Sequence, residues 1–243
     1  MLQHKPDRFG LNDFSRQPIE VCGARFVADR SGALYWPAER ALIVADLHLE
    51  KGSAGAERGR MLPPYDTRAT LLKLADAVDR FQAEAVIALG DSLHDSGAGR
   101  RIAAEDRDIL AMIQDEREWI WLTGNHDPAI DTSLGGVALA QMQLGGLTFR
   151  HMPAEGRITH EIAGHLHPAA RLSMHGHTLR RRCFIGNGRR LVLPAFGAFT
   201  GGLNVLDDAF FPLFGNDGFS VWMLGEEGLY PVATRQLCPD RGD

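Results

Sequence analysis

Several things are scarce in this sequence. It holds no run of about 18 apolar residues, so nothing in it reads as a membrane-spanning helix. The N-terminal stretch MLQHKPDRFGLNDF lacks an apolar core followed by a small-residue cleavage site, and does not read as a signal peptide. The three cysteines, Cys22, Cys183 and Cys238, are far apart and odd in number. They offer no CxxC or zinc-ribbon spacing and no disulfide framework, which points to a reducing cytoplasm. Excess positive charge is also missing: 26 Lys and Arg stand against 31 Asp and Glu, a net charge of -5. A chain coated with basic residues for duplex binding looks different, so any nucleic-acid contact must come from a local patch or from bound metal. Internal repeats and low-complexity linkers are absent.

What is present is an ordinary globular composition over 243 residues, with 44% hydrophobic and 23% charged residues. The length fits one large domain, or at most two small ones. Residues 1–17 read as a polar arm, 18–233 as the domain and 234–243 as a solvated tail. The count out of the ordinary is ten histidines, the commonest metal ligand and a common general acid or base.

Three short segments, Ile19–Cys22, Arg25–Ala28 and Ala33–Trp36, read as a meander bounded by turn residues. Ala41–Ala45 (ALIVA), Ala85–Leu89 (AVIAL) and Trp119–Leu122 (WIWL) read as strands buried on both faces. Between them the apolar spacing predicts helices over 66–81, capped by Asp66 or Thr67, and over 103–115. After residue 135 the pattern turns to short strands between glycine-rich turns: Val137–Leu144, Leu147–Arg150, His160–Ala163, Arg180–Ile185, Leu191–Leu193, Ser220–Leu224 and Leu229–Pro231. Trp119, Trp121, Phe196 and Phe199 read as core, and Tyr65 as an anchor for the helix start.

Polar clusters follow the strands. They are Asp46-Leu47-His48, Gly90-Asp91-Ser92-Leu93-His94-Asp95, Gly124-Asn125-His126-Asp127, His151 and Gly164-His165-Leu166-His167. In an open α/β sheet ligands bind just past the carboxyl ends of the strands. The tetrapeptide GNHD alone arises by chance in about one chain in a thousand of this length at average residue usage. Its place between GD and GHxH makes the signal strong. Carboxylates, imidazoles and an amide oxygen suit a pair of divalent cations such as Mn, Fe or Zn.

In these motifs (DxH, GDxxD, GNHD, a lone His and GHxH, in that order) the chain resembles the calcineurin-like metallophosphoesterase superfamily. The match spans Asp46 to His167. The stretches DLHLEKG, RGRMLPPYDT, GDSLHD, IAGHLHP and LVLPAFGAFTGGLNV further resemble the bacterial ligase-associated DNA damage response endonucleases, over nearly the whole chain. The resemblance implies a four-layer αββα sandwich of two packed mixed sheets flanked by helices. It implies two divalent metal ions, with manganese expected and Fe or Zn as alternatives. Asp46, His48 and His167 would hold one metal, Asn125, His151 and His165 the other, and Asp91 both. His126 would act as the acid at the leaving group and Asp127 would orient it.

One position departs from the family pattern: His94 stands where an Asp is expected, with Asp95 one place later. His94 is read either as a substrate or supporting residue, or as one without a role. His160 competes with His151 as the lone histidine but falls in a strand pattern; His4, His175 and His177 read as solvated.

The implied activity is phosphodiester hydrolysis by a water that loses its proton between two cations. The implied substrate is DNA, single-stranded or flapped, cut endonucleolytically in DNA repair. Functional association with a DNA ligase and a helicase or exonuclease repair set is implied with it. A phosphomonoesterase, a small cyclic-diester hydrolase and a non-enzymatic scaffold are the alternatives on this fold. Residues 180–190 (RRRCFIGNGRR) carry five arginines and no acid. Arg180, Arg181 and Arg182 read as a clamp for the phosphate backbone, or else as a charged edge hairpin. Lys51, Arg58 and Arg60, which follow the first motif, are candidates for a neighbouring phosphate. Two divalent ions would bring the formal charge to about -1, with the gain placed where a phosphate must go.

Overall fold

The computed structural model describes residues 15–57, 59, 65–174 and 177–240. A meander of β1 (Arg16–Val21), β2 (Ala24–Asp29) and β3 (Leu34–Trp36) leads into β4 (Ala41–Val44). Helices α1 (Lys51–Glu57) and α2 (Asp66–Phe81) precede β5 (Ala85–Leu89). Helices α3 (Ala98–Arg101) and α4 (Ala104–Gln114) precede β6 (Glu118–Leu122), and β7 (Val137–Leu139) closes the first sheet. Its order is β1 through β7, antiparallel up to β4 and parallel from there.

The second sheet contains β8 (Gln141–Leu144), β9 (Leu147–Arg150), β10 (Glu161–Ala163), β11 (Pro168–Met174), β12 (His177–Gly186), β13 (Arg190–Val192) and β14 (Leu203–Asn204). After α5 (Phe211–Phe214) come β15 (Ser220–Leu224) and β16 (Leu229–Val232), which extend from β12. The spatial order is β14-β11-β12-β13-β10-β9-β8, with β9, β10 and β13 parallel.

Alternation along the strands sorts the core into three layers. Leu42, Val44, Val86, Ala88, Trp119 and Trp121 face α2 and α4, where Leu71, Leu74 and Leu110 meet them. Ile43, Ile87, Leu89 and Leu122 point the other way and pack on Phe149, Ile162, Phe184 and Leu191 between the sheets. Cys183, Ile185 and Val192 face outward beneath Phe210, Leu213 and Phe214. Each large side chain so buried contributes on the order of 2 kcal/mol. The result is the α/β class with two packed mixed sheets flanked by helices.

Several local expectations differ from the structure. The run Val137–Leu144 is two strands: the chain leaves the first sheet after Leu139 and joins the second at Gln141. Neither Asp66 nor Thr67 caps α2. Asp66 Oδ2 accepts the Gly52 N–H at 3.0 Å, and Thr67 Oγ1 accepts the Glu50 N–H at 2.8 Å while donating to Glu50 Oε1. Both side chains therefore tie α2 to the start of α1 and the turn before it. Residues 234–240 are mostly exposed yet held along β11 and β12: Cys238 N–H donates to Arg171 O at 2.9 Å, and Arg180 Nε to Asp240 Oδ1 at 3.1 Å.

Candidate metal centre

The parallel strands β4, β5, β6, β9 and β10 end at one seam between the sheets. Asp46 and His48 follow β4, Asp91 follows β5, Asn125 to Asp127 follow β6, His151 follows β9, and His165 and His167 follow β10. Five of these residues have positive φ: Asp46 54°, His48 45°, Asp91 46°, His165 72° and His167 47°. Non-glycine residues in that region cost of order 1–3 kcal/mol each and persist only where the surroundings over-determine them. Here hydrogen bonds do so. Asp46 Oδ2 accepts the His165 N–H at 3.0 Å, and the His48 N–H donates to Asp91 O at 2.9 Å.

Two donor groups result. His167 Nε2 lies 3.2 Å from His48 Nε2 and 3.2 Å from Asp46 Oδ1. His151 Nε2 lies 3.0 Å from Asn125 Oδ1, 3.1 Å from His165 Nδ1 and 3.3 Å from Asp91 Oδ2. Donors about 2.1 Å from a common cation, at tetrahedral or octahedral angles, are themselves about 3.0–3.4 Å apart. Asp91 sits between the groups. Its Oδ1 accepts the His126 N–H at 2.9 Å, while Oδ2 lies 3.3 Å from His151 Nε2, 3.9 Å from His48 Nε2 and 4.0 Å from His126 Nε2.

No lysine or arginine among the described residues pairs with Asp46 or Asp91, although both carboxylates are buried. His151 Nδ1 donates to Leu89 O at 2.9 Å, which leaves Nε2 as the nitrogen facing three other lone-pair atoms. Such a set fits divalent cations of the borderline kind.

The charge states suit that use. Burial, with His167 nearby, lowers His48 to about 3 and keeps it neutral. Burial works against the Asp91 charge, but His151, the His126 amide and His48 outweigh it and hold the carboxyl at about 2. Burial and the neighbouring His151 lower His165. His151 runs the other way: burial lowers it, but the Asp91 and Asp46 carboxylates prevail and raise it. Proton and cation are alternatives at that nitrogen.

The glycines before the donors make room for donors. A Cβ on Gly124 would lie 2.2 Å from Asp91 Oδ1, and one on Gly164 2.9 Å from Asp46 Oδ2.

Around the donors the roles shift from those expected. Asp127 does not orient His126. Its carboxylate accepts four backbone N–H groups, from Asp91 (3.0 Å), Ser92 (2.7 Å), Leu93 (3.0 Å) and Gly124 (2.8 Å), and so fastens the β5 turn to the β6 turn. The His126 ring is placed by the His94 carbonyl, 2.9 Å from Nδ1. The His94 ring stacks on that of His126, centroids 5.4 Å apart, and the two form a third imidazole group with His48. Asp95 faces elsewhere: it binds Arg101 at 2.7 Å and the Gly97 N–H at 2.8 Å. His160 precedes β10 at φ 62°, exposed and bonded to Thr159, outside the donor groups.

The arginine run does not form one clamp. Arg182 is engaged by three backbone carbonyls, Ala195 (2.9 Å), Ala198 (3.2 Å) and Thr200 (2.9 Å). Arg180 is bound to Asp240, and Arg190 is fully buried against Glu161. Arg181 donates to Arg180 O at 3.2 Å and meets Glu226 at 3.5 Å. Strand alternation forces this division, since neighbouring side chains point to opposite faces. Arg58, Arg60, His4 and His175 lie outside the described residues. Of the four aromatic residues read as core, Trp119, Trp121 and Phe196 are buried, but Phe199 is 43% exposed. Glu50 is a supporting residue that the sequence pattern does not single out. It is buried at φ 68°, and its carboxylate accepts from Ser53 and Thr67 and so props the β4 turn. The serine three residues on is its one local signal.

The sequence pattern described as calcineurin-like phosphoesterase matches residues 39–208. No curated protein sequence matches the chain. Among solved structures, the Pseudomonas putida nuclease MPE is similar at a TM-score of 0.70 and 29% identity, covering 89% of this chain and 100% of that one. The E. coli phosphoesterase Yfce gives a TM-score of 0.40 at 16% identity, over 79% of this chain and 98% of that one. The Aquifex aeolicus protein AQ665 gives 0.37 at 16% identity, over 52% and 78%.

Proposed function

Because the chain belongs to the calcineurin-like phosphoesterase family, whose members are metal-dependent phosphoester hydrolases, we propose that it is a manganese-dependent endonuclease acting on single-stranded or flapped DNA in DNA repair. The observation that carries this reading is the form of the donor seam. Asp46 and Asp91 are buried at its floor, while Asn125 and His126 are exposed at its rim, His126 with 42% of its side chain accessible. A polymer can be laid across such a rim, whereas a closed pocket admits only a small ester. The Pseudomonas putida neighbour, a nuclease by name, supports a nucleic-acid substrate.

In this reading Asp46, His48 and His167 would hold one cation, Asn125, His151 and His165 would hold the other, and Asp91 would serve both. Bound cations supply Lewis acidity toward the phosphoryl oxygens and lower the pKa of water. The protein's own part is to hold and move a proton. With its Nδ1–H on the His94 carbonyl, an imidazolium at His126 keeps its other proton on Nε2, on the side facing Asp91. That proton passes to the leaving alkoxide. The His94 ring, stacked on His126, steadies that orientation and borders the path of the phosphate. Asp127 acts one step further out, by fixing the turns that carry Asp91 and His126. A DNA ligase and a helicase or exonuclease are the functional associates that fit this role, in the cytoplasm. Among the described residues no helix is long and apolar enough to cross a membrane.

The reading is tested by stripping the protein of metal and restoring one metal at a time on single- and double-stranded DNA. Cleavage of the single strand, highest with manganese, is the expected result. A protein that hydrolyses mono-nitrophenyl phosphate faster than the bis-ester and leaves DNA intact is instead a phosphomonoesterase. The His126→Ala variant is expected to keep both metals and to lose about a hundred-fold or more on DNA, with a smaller loss on bis-p-nitrophenyl phosphate, whose leaving group needs less help from an acid. Equal losses on the two substrates would argue against His126 as the acid.

A further inference from the structure

The segment from Ala195 to Leu203 joins the two ends of one donor group. At one end Phe196 N–H donates to Ala45 O at 2.8 Å, Gly197 N–H donates to Asp46 O at 3.1 Å, and a Cβ on Gly197 would meet Leu47 O at 2.2 Å. At the other end Leu203 N–H donates to His167 O at 3.0 Å. Between these anchors the backbone is held almost group by group. Lys73 Nζ donates to Phe196 O at 2.9 Å, Ala198 N–H donates to Thr70 Oγ1 at 3.0 Å, and Thr200 Oγ1 donates to Gly197 O at 2.7 Å. Arg182 donates to the carbonyls of Ala195, Ala198 and Thr200, the last two on either side of Phe199.

A loop bound this tightly has one large apolar group left in solvent, the Phe199 ring, while Phe196 three residues earlier is fully buried. Scattered exposed hydrophobics are normal on a surface; this one stands on a fixed crest. It is two residues from the contact with Asp46 and four from the contact with His167, so its backbone is within about 7 Å of the first by chain length alone.

We propose that Phe199 is a stacking platform for an unpaired base beside the scissile phosphate. Base stacking on an aromatic ring tolerates any sequence but requires a base free of its partner strand, so this crest favours unpaired over paired DNA. The assignment rests on the nuclease reading above.

The test uses the metal-loaded enzyme, cleavage of a single-stranded oligonucleotide, and an abasic strand of equal length as competitor. Replacing Phe199 by leucine is expected to raise KM for the base-bearing strand about tenfold, as loss of one stacked base does. The inhibition constant of the abasic strand should stay where it was, and Phe199→Trp should restore KM. Two results would overturn the assignment: an unchanged KM in Phe199→Leu, or an abasic inhibition constant that rises as much as KM, which would make the ring a prop for the loop. In both cases the wild-type protein still cuts DNA and the nuclease reading stands. A wild-type protein that turns over small phosphodiesters but neither cuts nor binds DNA removes both.

Discussion

Asp91→Ala is expected to abolish phosphodiester hydrolysis, by more than about a thousand-fold, because losing one charge-stabilising group at a reacting centre already costs about a hundred- to a thousand-fold. The loss should be deeper here, since the same carboxylate sits between both donor groups. Its Oδ2 is within 4.0 Å of His48, His126 and His151, and its Oδ1 accepts the His126 amide. Metal analysis should find fewer than two equivalents of divalent metal in the purified variant, and turnover of bis-p-nitrophenyl phosphate should fall with it. A variant that keeps two equivalents and wild-type turnover would show that the cations do not share this residue. Asp91→Asn keeps the shape of the side chain but removes its charge. It separates the charge from the form of the turn, and its folded state is checked by its melting temperature.

Glu161→Leu is the second large effect, and it falls on stability. Arg190 and Glu161 are buried together, 0% and 1% exposed, with Nη2 and Oε2 2.7 Å apart. Arg190 also donates to Leu213 O and Ala154 O, and Glu161 accepts the Ala154 N–H at 3.0 Å. Taking away the carboxylate leaves a guanidinium in the interior with carbonyls alone, a loss of about 3–5 kcal/mol. For a chain of this size that is roughly a 10 °C fall in melting temperature. Arg190→Met should cost less, because Arg150 Nε lies 3.5 Å from Glu161 and retains part of its compensation. Thermal unfolding of the two single variants and of the double variant checks the order. A double variant less stable than Glu161→Leu would contradict it.

The parts of this architecture carried by local pattern are legible in the sequence. The strands β4, β5 and β6 stand where uninterrupted apolar runs end in a polar turn, and α2 fills 66–81 as its spacing requires. The donor residues are legible for the same reason, since each motif is a few residues long. Illegible features depend on partners far along the chain. Asp127 reaches amides 34 to 36 positions away, so nothing next to it reveals that its carboxylate is fully engaged. The break between Leu139 and Gln141 is set by which sheet each flank joins, and the composition of the run does not mark it. Helix α1, with two glycines in KGSAGAE, has poor helical propensity and is held by Glu50, Thr67 and Asp66 around its start. Phe199 differs from Phe196 only in the direction that the bonded loop turns it.

The seam between the sheets has a consequence for how the protein comes into being. The first sheet can present Asp46, His48, Asp91 and Asn125, and the second His151, His165 and His167, so neither half encloses a cation. Because the polypeptide emerges N-terminus first, every partial chain that stops before β10 lacks His165 and His167, one imidazole of each donor group. Metal loading is therefore expected late in biosynthesis, as a report of the completed docking of the two halves.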